Sequence, residues 1–231
     1  MATLLITGCN RGIGLELACQ YLQDGWRVHG CCRNPSQADE LQQLQEQHAE
    51  NLQIHALDVA SERGIAELKS ALEDQPIDLL LNNAGVYGGA GNRLGSLDTE
   101  EWLQVLRVNT IAPLLMAQTF LDNVAASKGK TIASVSSKVG SIADNRGGSN
   151  YMYRSSKTAL NQAMKSLSID TAHLGLKTVV LHPGWVQTDM GGPNALITVA
   201  ESASGLKKVL DELTPEQSGQ FINYDGSEIP W

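Results

Sequence analysis

Short apolar runs alternate along the chain with longer amphipathic stretches, and this alternation limits the available folds more than any other feature. Seven runs read as strands: Thr3–Thr7, Arg27–Cys32, Leu52–Leu57, Ile77–Leu81, Thr131–Val135, Thr178–Leu181 and Gln220–Asn223. Several are hydrophobic almost without a break, as strands buried on both faces are. Helical patterns lie between them at Gly14–Gln23, Gln37–His48, Glu62–Leu72, Thr99–Asn123, Tyr153–His173 and Ala200–Leu213, the third behind a capping Ser61. Each strand–helix–strand unit must cross over right-handedly and cover one face, so the order predicts a doubly wound parallel α/β sheet flanked by helices. Gly88–Gly95 and Gly147–Ser149 read as loops. No internal repeat or linker divides the chain, and 231 residues suit one domain.

Composition narrows the partners. Seventeen Lys and Arg against 25 Asp and Glu give a net charge of −8, with no basic run. That argues against a nucleic-acid surface or an anionic membrane, although one pocket can still be basic on an acidic molecule. The first residues lack the basic region and cleavage site of a signal peptide and read as a strand, which predicts a cytoplasmic protein. No apolar run approaches the roughly 18 residues of a membrane span. Cys9, Cys19, Cys31 and Cys32 have no CxxC spacing or histidine cluster, so neither a metal site nor a disulfide framework is expected. Cys31 and Cys32 read as small apolar residues within a strand.

The first strand runs into Thr7-Gly8-Cys9-Asn10-Arg11-Gly12-Ile13-Gly14, which opens a helix. Glycines there permit a tight turn and bring backbone N–H groups towards a pyrophosphate at the positive helix end. Steric need at a strand-to-helix turn would select glycine as well. Further motifs follow in order: Asn82-Asn83-Ala84-Gly85, Asn109 in Val108-Asn109-Thr110, Ser136-Ser137, Tyr153-Arg154-Ser155-Ser156-Lys157 and Pro183-Gly184. Each falls at the carboxyl end of a predicted strand or on the adjoining helix. The set, spread over nearly the whole chain, resembles the short-chain dehydrogenases/reductases. Val139-Gly140-Ser141-Ile142, Pro183-Gly184-Trp185-Val186-Gln187-Thr188-Asp189-Met190-Gly191-Gly192 and the closing Asp225-Gly226-Ser227-Glu228-Ile229-Pro230-Trp231 are similar to its C-factor/sniffer-like carbonyl reductase group.

The resemblance implies a Rossmann-type fold and a nicotinamide cofactor on Gly8, Asn10, Arg11, Gly12, Ile13 and Gly14. The second strand ends in Cys32-Arg33-Asn34 with no acid for a ribose 2′-hydroxyl. Arg33 and Arg11 are two cations suited to a 2′-phosphate, which favours NADP(H) over NAD(H), unless both are ordinary solvated arginines. Asp58, with Val59 beside it, resembles the acid that meets the adenine, and its alternative is a helix cap near Ser61. Asn83, Ala84 and Gly85 would lie along the adenosine ribose or brace the sheet. Pro183, Gly184, Val186 and Thr188 resemble the segment that carries the carboxamide and pyrophosphate.

Carbonyl reduction needs a hydride donor, a proton donor and a group to hold the oxygen. Tyr153 suits the proton donor once a cation lowers its phenol pKa from about 10. Lys157, four residues on, shares its helix face. Ser137 resembles the serine that holds the oxygen, and Asn109 the residue that distorts its helix and links Lys157 to solvent. Ser137 and Tyr153 stand 16 positions apart, more than is usual for the family, which an insertion across Asp144–Asn150 explains. Tyr151 has Ser155 where Tyr153 has Lys157, and strand alternation turns Ser136 away from Ser137.

Val86, Tyr87, Ser141, Tyr151, Trp185 and Met190 are candidates for the cleft wall or for packing, and Gly191–Ala195 for the start of a lid within a substrate segment at about 186–215. The expected activity is reduction of a small aldehyde or ketone, or the reverse oxidation. A dinucleotide-binding signalling or sensor protein of the same fold is the alternative. The 231-residue length leaves little room for the sugar-nucleotide domain of an epimerase. Homodimers or homotetramers are common among the proteins it resembles.

Overall fold

Leu4 and Ile6 of the first strand pack against one helical layer and Leu5 against the other, which is why these strands read as unbroken hydrophobics. The computed structural model of the chain describes residues 1–89 and 92–231, so Ala90 and Gly91 of the expected Gly88–Gly95 loop lie outside the described residues. Seven strands, β1 (Thr3–Thr7), β2 (Arg27–Cys32), β3 (Leu52–Ala56), β4 (Leu79–Asn82), β5 (Thr131–Val135), β6 (Lys177–His182) and β7 (Gln220–Asn223), form one sheet. Their order is β3-β2-β1-β4-β5-β6-β7 and every pair is parallel. This is the Rossmann-type doubly wound sheet. The chain winds outward from β1, returns to the centre at β4, and opens a crevice where the direction reverses.

Helices α1 (Gly12–Gln23), α2 (Asp39–Gln47) and α8 (Val199–Asp211) contribute Leu17, Leu41 and Leu206 to one face. On the other face lie α3 (Glu62–Leu72), α5 (Ala112–Thr119), α6 (Leu121–Ala125) and α7 (Tyr151–Asp170), with Ile65, Met116, Val124 and Leu160. Between β4 and α5 runs α4 (Thr99–Leu106). Cys31 and Cys32 are buried strand residues.

Most helices shift from their expected bounds: α1 begins at Gly12, α2 is shortened to Asp39–Gln47 and α8 runs Val199–Asp211, while two others differ more. The Thr99–Asn123 pattern is not one helix: Arg107–Ile111 forms a π-helical turn between α4 and α5, and Phe120 separates α5 from α6. Pro113 has no N–H to return to the carbonyl four residues back, at Asn109, so the ladder is already broken where the extra residue sits. Helix α7 begins at Tyr151, two residues before Tyr153, and stops at Asp170. Strand β4 starts at Leu79, two residues later than expected, and just before it the Asp78 carboxylate accepts the N–H of Thr3 and of Gly129, each at 2.9 Å.

Leu80 is fully buried in β4, so Leu80→Ala should cost about 2–5 kcal/mol in urea unfolding. His29 Nδ1 lies 3.0 Å from His55 Nε2. Burial, with lesser contributions from His55 and Arg27, holds His29 down at about 4, and burial and Lys138 do the same for His182. Both titrate near 6.5 when unfolded, so their stabilisation is complete above that pH and is lost as pH falls towards 4. The urea midpoint should therefore drop measurably between pH 7 and pH 5.

Candidate active site

The glycine loop and the end of β4 touch at backbone distance. Gly8 has φ +66°, and a Cβ there would lie 2.8 Å from Ala84 Cα; one on Gly14 would lie 2.4 Å from Asn83 Nδ2. Asn83 Nδ2 donates to Thr7 O at 3.0 Å and Gly8 O at 2.9 Å, and Thr7 Oγ1 accepts the Asn83 and Ala84 N–H groups at 3.1 Å. Asn83 therefore braces the loop. The N-cap of α1 is Arg11, extended and without a side-chain cap, and no acid occupies the first turn. The N–H groups at Gly12, Ile13 and Gly14 have no acidic competitor, so the cradle fits a pyrophosphate. Gly12 also approaches the far wall, where Thr188 Cγ2 would lie 3.5 Å from an added Cβ. Asn10 is half-buried between these glycines.

The two expected cations fare differently. Arg11 is not free: its Nη1 lies 2.6 Å from Asp189 Oδ2, and both side chains are exposed. A carboxylate from the opposite wall takes the charge that the sequence reserved for a phosphate. Arg33 is exposed after β2 and has no ion pair among the described residues. Asp58 is not the cap of α3. Ser61 is, accepting from Gly64 N at 3.1 Å, while Asp58 Oδ1 accepts from Ala60 N at 3.0 Å. Val59 is partly buried against the core.

Ser137, Tyr153 and Lys157 come together at the carboxyl end of β5. Ser136 points inward, donating to Asn161 Oδ1 at 2.6 Å, so Ser137 is the serine at the cleft. Ser137 caps a short turn over Lys138–Gly140, and a Cβ on Gly140 would meet Lys157 Cβ at 2.8 Å. Only glycine lets this turn lie on α7. The Ser137 hydroxyl is close enough to the Tyr153 phenol to act on its titration, while Tyr151 stays exposed at the helix start. Burial pushes the phenol up to about 12, opposed by the Ser137 bond and aided by Tyr87. Lys157 is 4% exposed, donates to Val135 O at 2.9 Å, and lies 5.7 Å from the Tyr153 ring centroid. Its own pKa is brought down to about 8 by burial. Burial sets the direction of the phenol's shift, and Lys157 is not among the groups that oppose it.

Asn109 lies fully buried in the π-turn. Its Oδ1 accepts from Val86 N at 2.9 Å, and its Nδ2 donates to Val86 O at 2.8 Å and Ser156 Oγ at 3.0 Å. It joins the β4 loop to α7, with Gly85 between Asn109 and Lys157. After β6, Ser202 Oγ donates to Pro183 O at 2.6 Å. Gly184 has φ +86°, Val186 bridges to Ile197, and Thr188 N donates to Val186 O at 2.8 Å. Trp185 Nε1 donates to Gly191 O at 2.8 Å, and Gly192 N to Thr188 O at 2.8 Å, so the expected lid start is internally bonded. Ser141 is buried and Met190 exposed.

Two residues escaped the sequence reading. Arg154 donates to Val139 O and Gly148 O, both at 3.1 Å, fastening the inserted residues to the Ser137 turn. Asn92 bonds the start of α7 from a loop 60 positions away. Neither has a signal in a single sequence, because each acts through backbone atoms that only the fold brings near.

The family model of the short chain dehydrogenases matches residues 2–196. The chain belongs to that family. It is 44% identical over 156 residues to the C-signal protein of Myxococcus xanthus, covering 68% of this chain and 93% of that protein. Among solved structures it superposes on the carbonyl reductase Sniffer of D. melanogaster with TM-score 0.92, 36% identity and full coverage of both chains. An NADPH-bound carbonyl reductase from chicken fatty liver gives TM-score 0.91 at 36% identity, covering 100% of this chain and 99% of that one. The chain is thus an oxidoreductase-family member of the C-factor/sniffer-like group.

Overpacking at the turn under Ser137 should be costly. Gly140→Ala is expected to lose about 1–3 kcal/mol in thermal unfolding. Gly147→Ala, whose Cβ would meet only Arg154 at 4.0 Å, should be neutral.

Proposed function

We propose that the chain is an NADP(H)-dependent carbonyl reductase that converts an aldehyde or ketone to an alcohol, with Tyr153 as proton donor. The observation that carries this reading is the meeting of Ser137, Tyr153 and buried Lys157 at one strand end, beside an anion-ready helix N-terminus. Gly8, Asn10, Gly12, Ile13 and Gly14 would hold the pyrophosphate, and Arg33 a 2′-phosphate, with Arg11 joining only on leaving Asp189. Asp58 and Val59 would meet the adenine, Asn83 to Gly85 the ribose, and Pro183, Gly184, Val186 and Thr188 the carboxamide side. When bound, the nicotinamide supplies the reducing equivalents.

Ser137 donates to the substrate oxygen and orients it towards the phenol. Tyr153 then delivers its proton from Oη to that oxygen as negative charge develops. Lys157 is placed to stabilise the resulting phenolate, and its depressed pKa suits a group that passes a proton on near neutral pH. Asn109 holds the loop and α7 at fixed separation through Val86 and Ser156. The whole chain serves as one catalytic domain, and the segment at about 186–215 forms the substrate side. The substrate would be a small molecule, and no helix among the described residues is long and apolar enough to cross a membrane.

The test is NADPH oxidation with a panel of carbonyls, comparing wild type with Tyr153→Phe. A loss of at least about a hundredfold in kcat is expected, the scale of general acid catalysis. Turnover by neither protein would favour the sensor reading, and equal turnover would remove Tyr153 from the chemistry. Arg33→Asp should weaken NADPH at least tenfold more than NADH in fluorescence titrations, whereas equal losses would refute the phosphate role.

A further inference from the structure

The first-turn N–H groups of a helix need acceptors, which usually come from the residue just before it. Asn150 cannot serve α7 in this way: it is left-handed, with φ 52° and ψ 43°, and its side chain caps nothing. Asn92, in the loop between β4 and α4, takes that position. Its Oδ1 accepts the Met152 N–H at 2.7 Å, and its main-chain carbonyl accepts the Tyr151 N–H at 3.4 Å. Because Met152 N–H is a donor, the contact fixes which end of the amide faces the helix. Asn92 is 4% exposed, so the bond is made away from water, where an unpaired N–H costs most.

The same loop covers the phenol. The Tyr87 ring lies on the Tyr153 ring with centroids 4.8 Å apart and planes 37° apart. Gly88, at φ +85°, turns the loop inward, where an added Cβ would lie 3.6 Å from Met152 Sδ. The Glu101 carboxylate accepts the Gly89 N–H, and next to it Trp102 Nε1 donates to Ser155 Oγ at 2.9 Å. Loop, α4 and the first turn of α7 are one cross-bonded unit around Tyr153.

We propose that Asn92 is a positioning residue for the catalytic phenol. By capping α7 from the loop, it fixes the height and rotation of the turn that carries Tyr153, and so keeps the phenol within reach of Ser137. The proposal rests on the reading of Tyr153 as proton donor.

Asn92→Ala, Asn92→Asp and Tyr153→Phe, each in the full chain, test it with a carbonyl that the wild type reduces. NADPH affinity is read by fluorescence, and kcat is expressed per NADPH site titrated, which removes any unfolded fraction. For Asn92→Ala, kcat should fall about fivefold or more, the rate equivalent of a lost cap, with KM and NADPH affinity within about twofold of wild type. Asn92→Asp should restore kcat to within about twofold, because its carboxylate accepts the same N–H at the positive helix end. Wild-type kcat in Asn92→Ala, or equal losses in both variants, overturns the proposal. If Asn92→Ala does not fold, the decision passes to the Asp variant, where a loss beyond about fivefold overturns the proposal. Full activity in Tyr153→Phe would instead remove the proton-donor reading. Loss there beside an unaffected Asn92→Ala removes only the positioning role.

Discussion

The contact between the end of β1 and the end of β4 is the constraint on which the rest of the site depends. The two strands are neighbours in the sheet, and the chain leaves them towards opposite faces. Carbonyls of Thr7 and Gly8 would be orphaned at this divergence, and Asn83 Nδ2 satisfies both. With the loop tied there, Gly8 and Gly14 must be glycine, because a Cβ would enter Ala84 or Asn83. The loop is therefore fixed from behind, and its N–H groups are aimed outward. A cradle of free N–H groups suited to an anion results from polar satisfaction in the sheet as much as from the helix dipole.

A second brace holds α7. Asn109 leaves the helical ladder at the π-turn and spends its side chain on Val86 and Ser156. Gly140 lets the Ser137 turn rest on α7, and Arg154 fastens the inserted residues to that turn. Buried polar groups of this kind are costly unless every partner is present, so together they enforce one arrangement. Burial moves the two groups in opposite directions, raising the Tyr153 phenol and lowering the Lys157 ammonium. The phenol and the ammonium share one helix face.

Much of this was legible in the residues. Strand runs such as Thr3–Thr7 and Thr131–Val135 matched their observed bounds, since burial on both faces leaves an unmistakable apolar signal. Strand alternation separated Ser136 from Ser137, and the Ser137-Lys138-Val139-Gly140 phrase that resembles the family's singled out Ser137. Other features were illegible for physical reasons. A π-turn has nearly the composition of the helix around it, so Thr99–Asn123 read as one element. The pairing of Arg11 with Asp189 joins residues 178 positions apart, and two exposed charges carry no mark of each other. The balance between burial and charge at Tyr153 depends on how much water reaches the phenol, which residue types do not record.

The sequence by itself determined the parallel sheet and the glycine turn through periodicity and local spacing, and it marked Ser137, Tyr153 and Lys157 through motifs that resemble the family's. Tertiary structure alone decided what each group faces. It gave Arg11 a carboxylate partner, gave Lys157 the Val135 carbonyl, and gave α7 its cap from Asn92 rather than from its own flanking residue. The physical reason is common to all three. Hydrogen bonds and ion pairs act over a few ångströms in space, and only folding brings residues distant in the chain within that range.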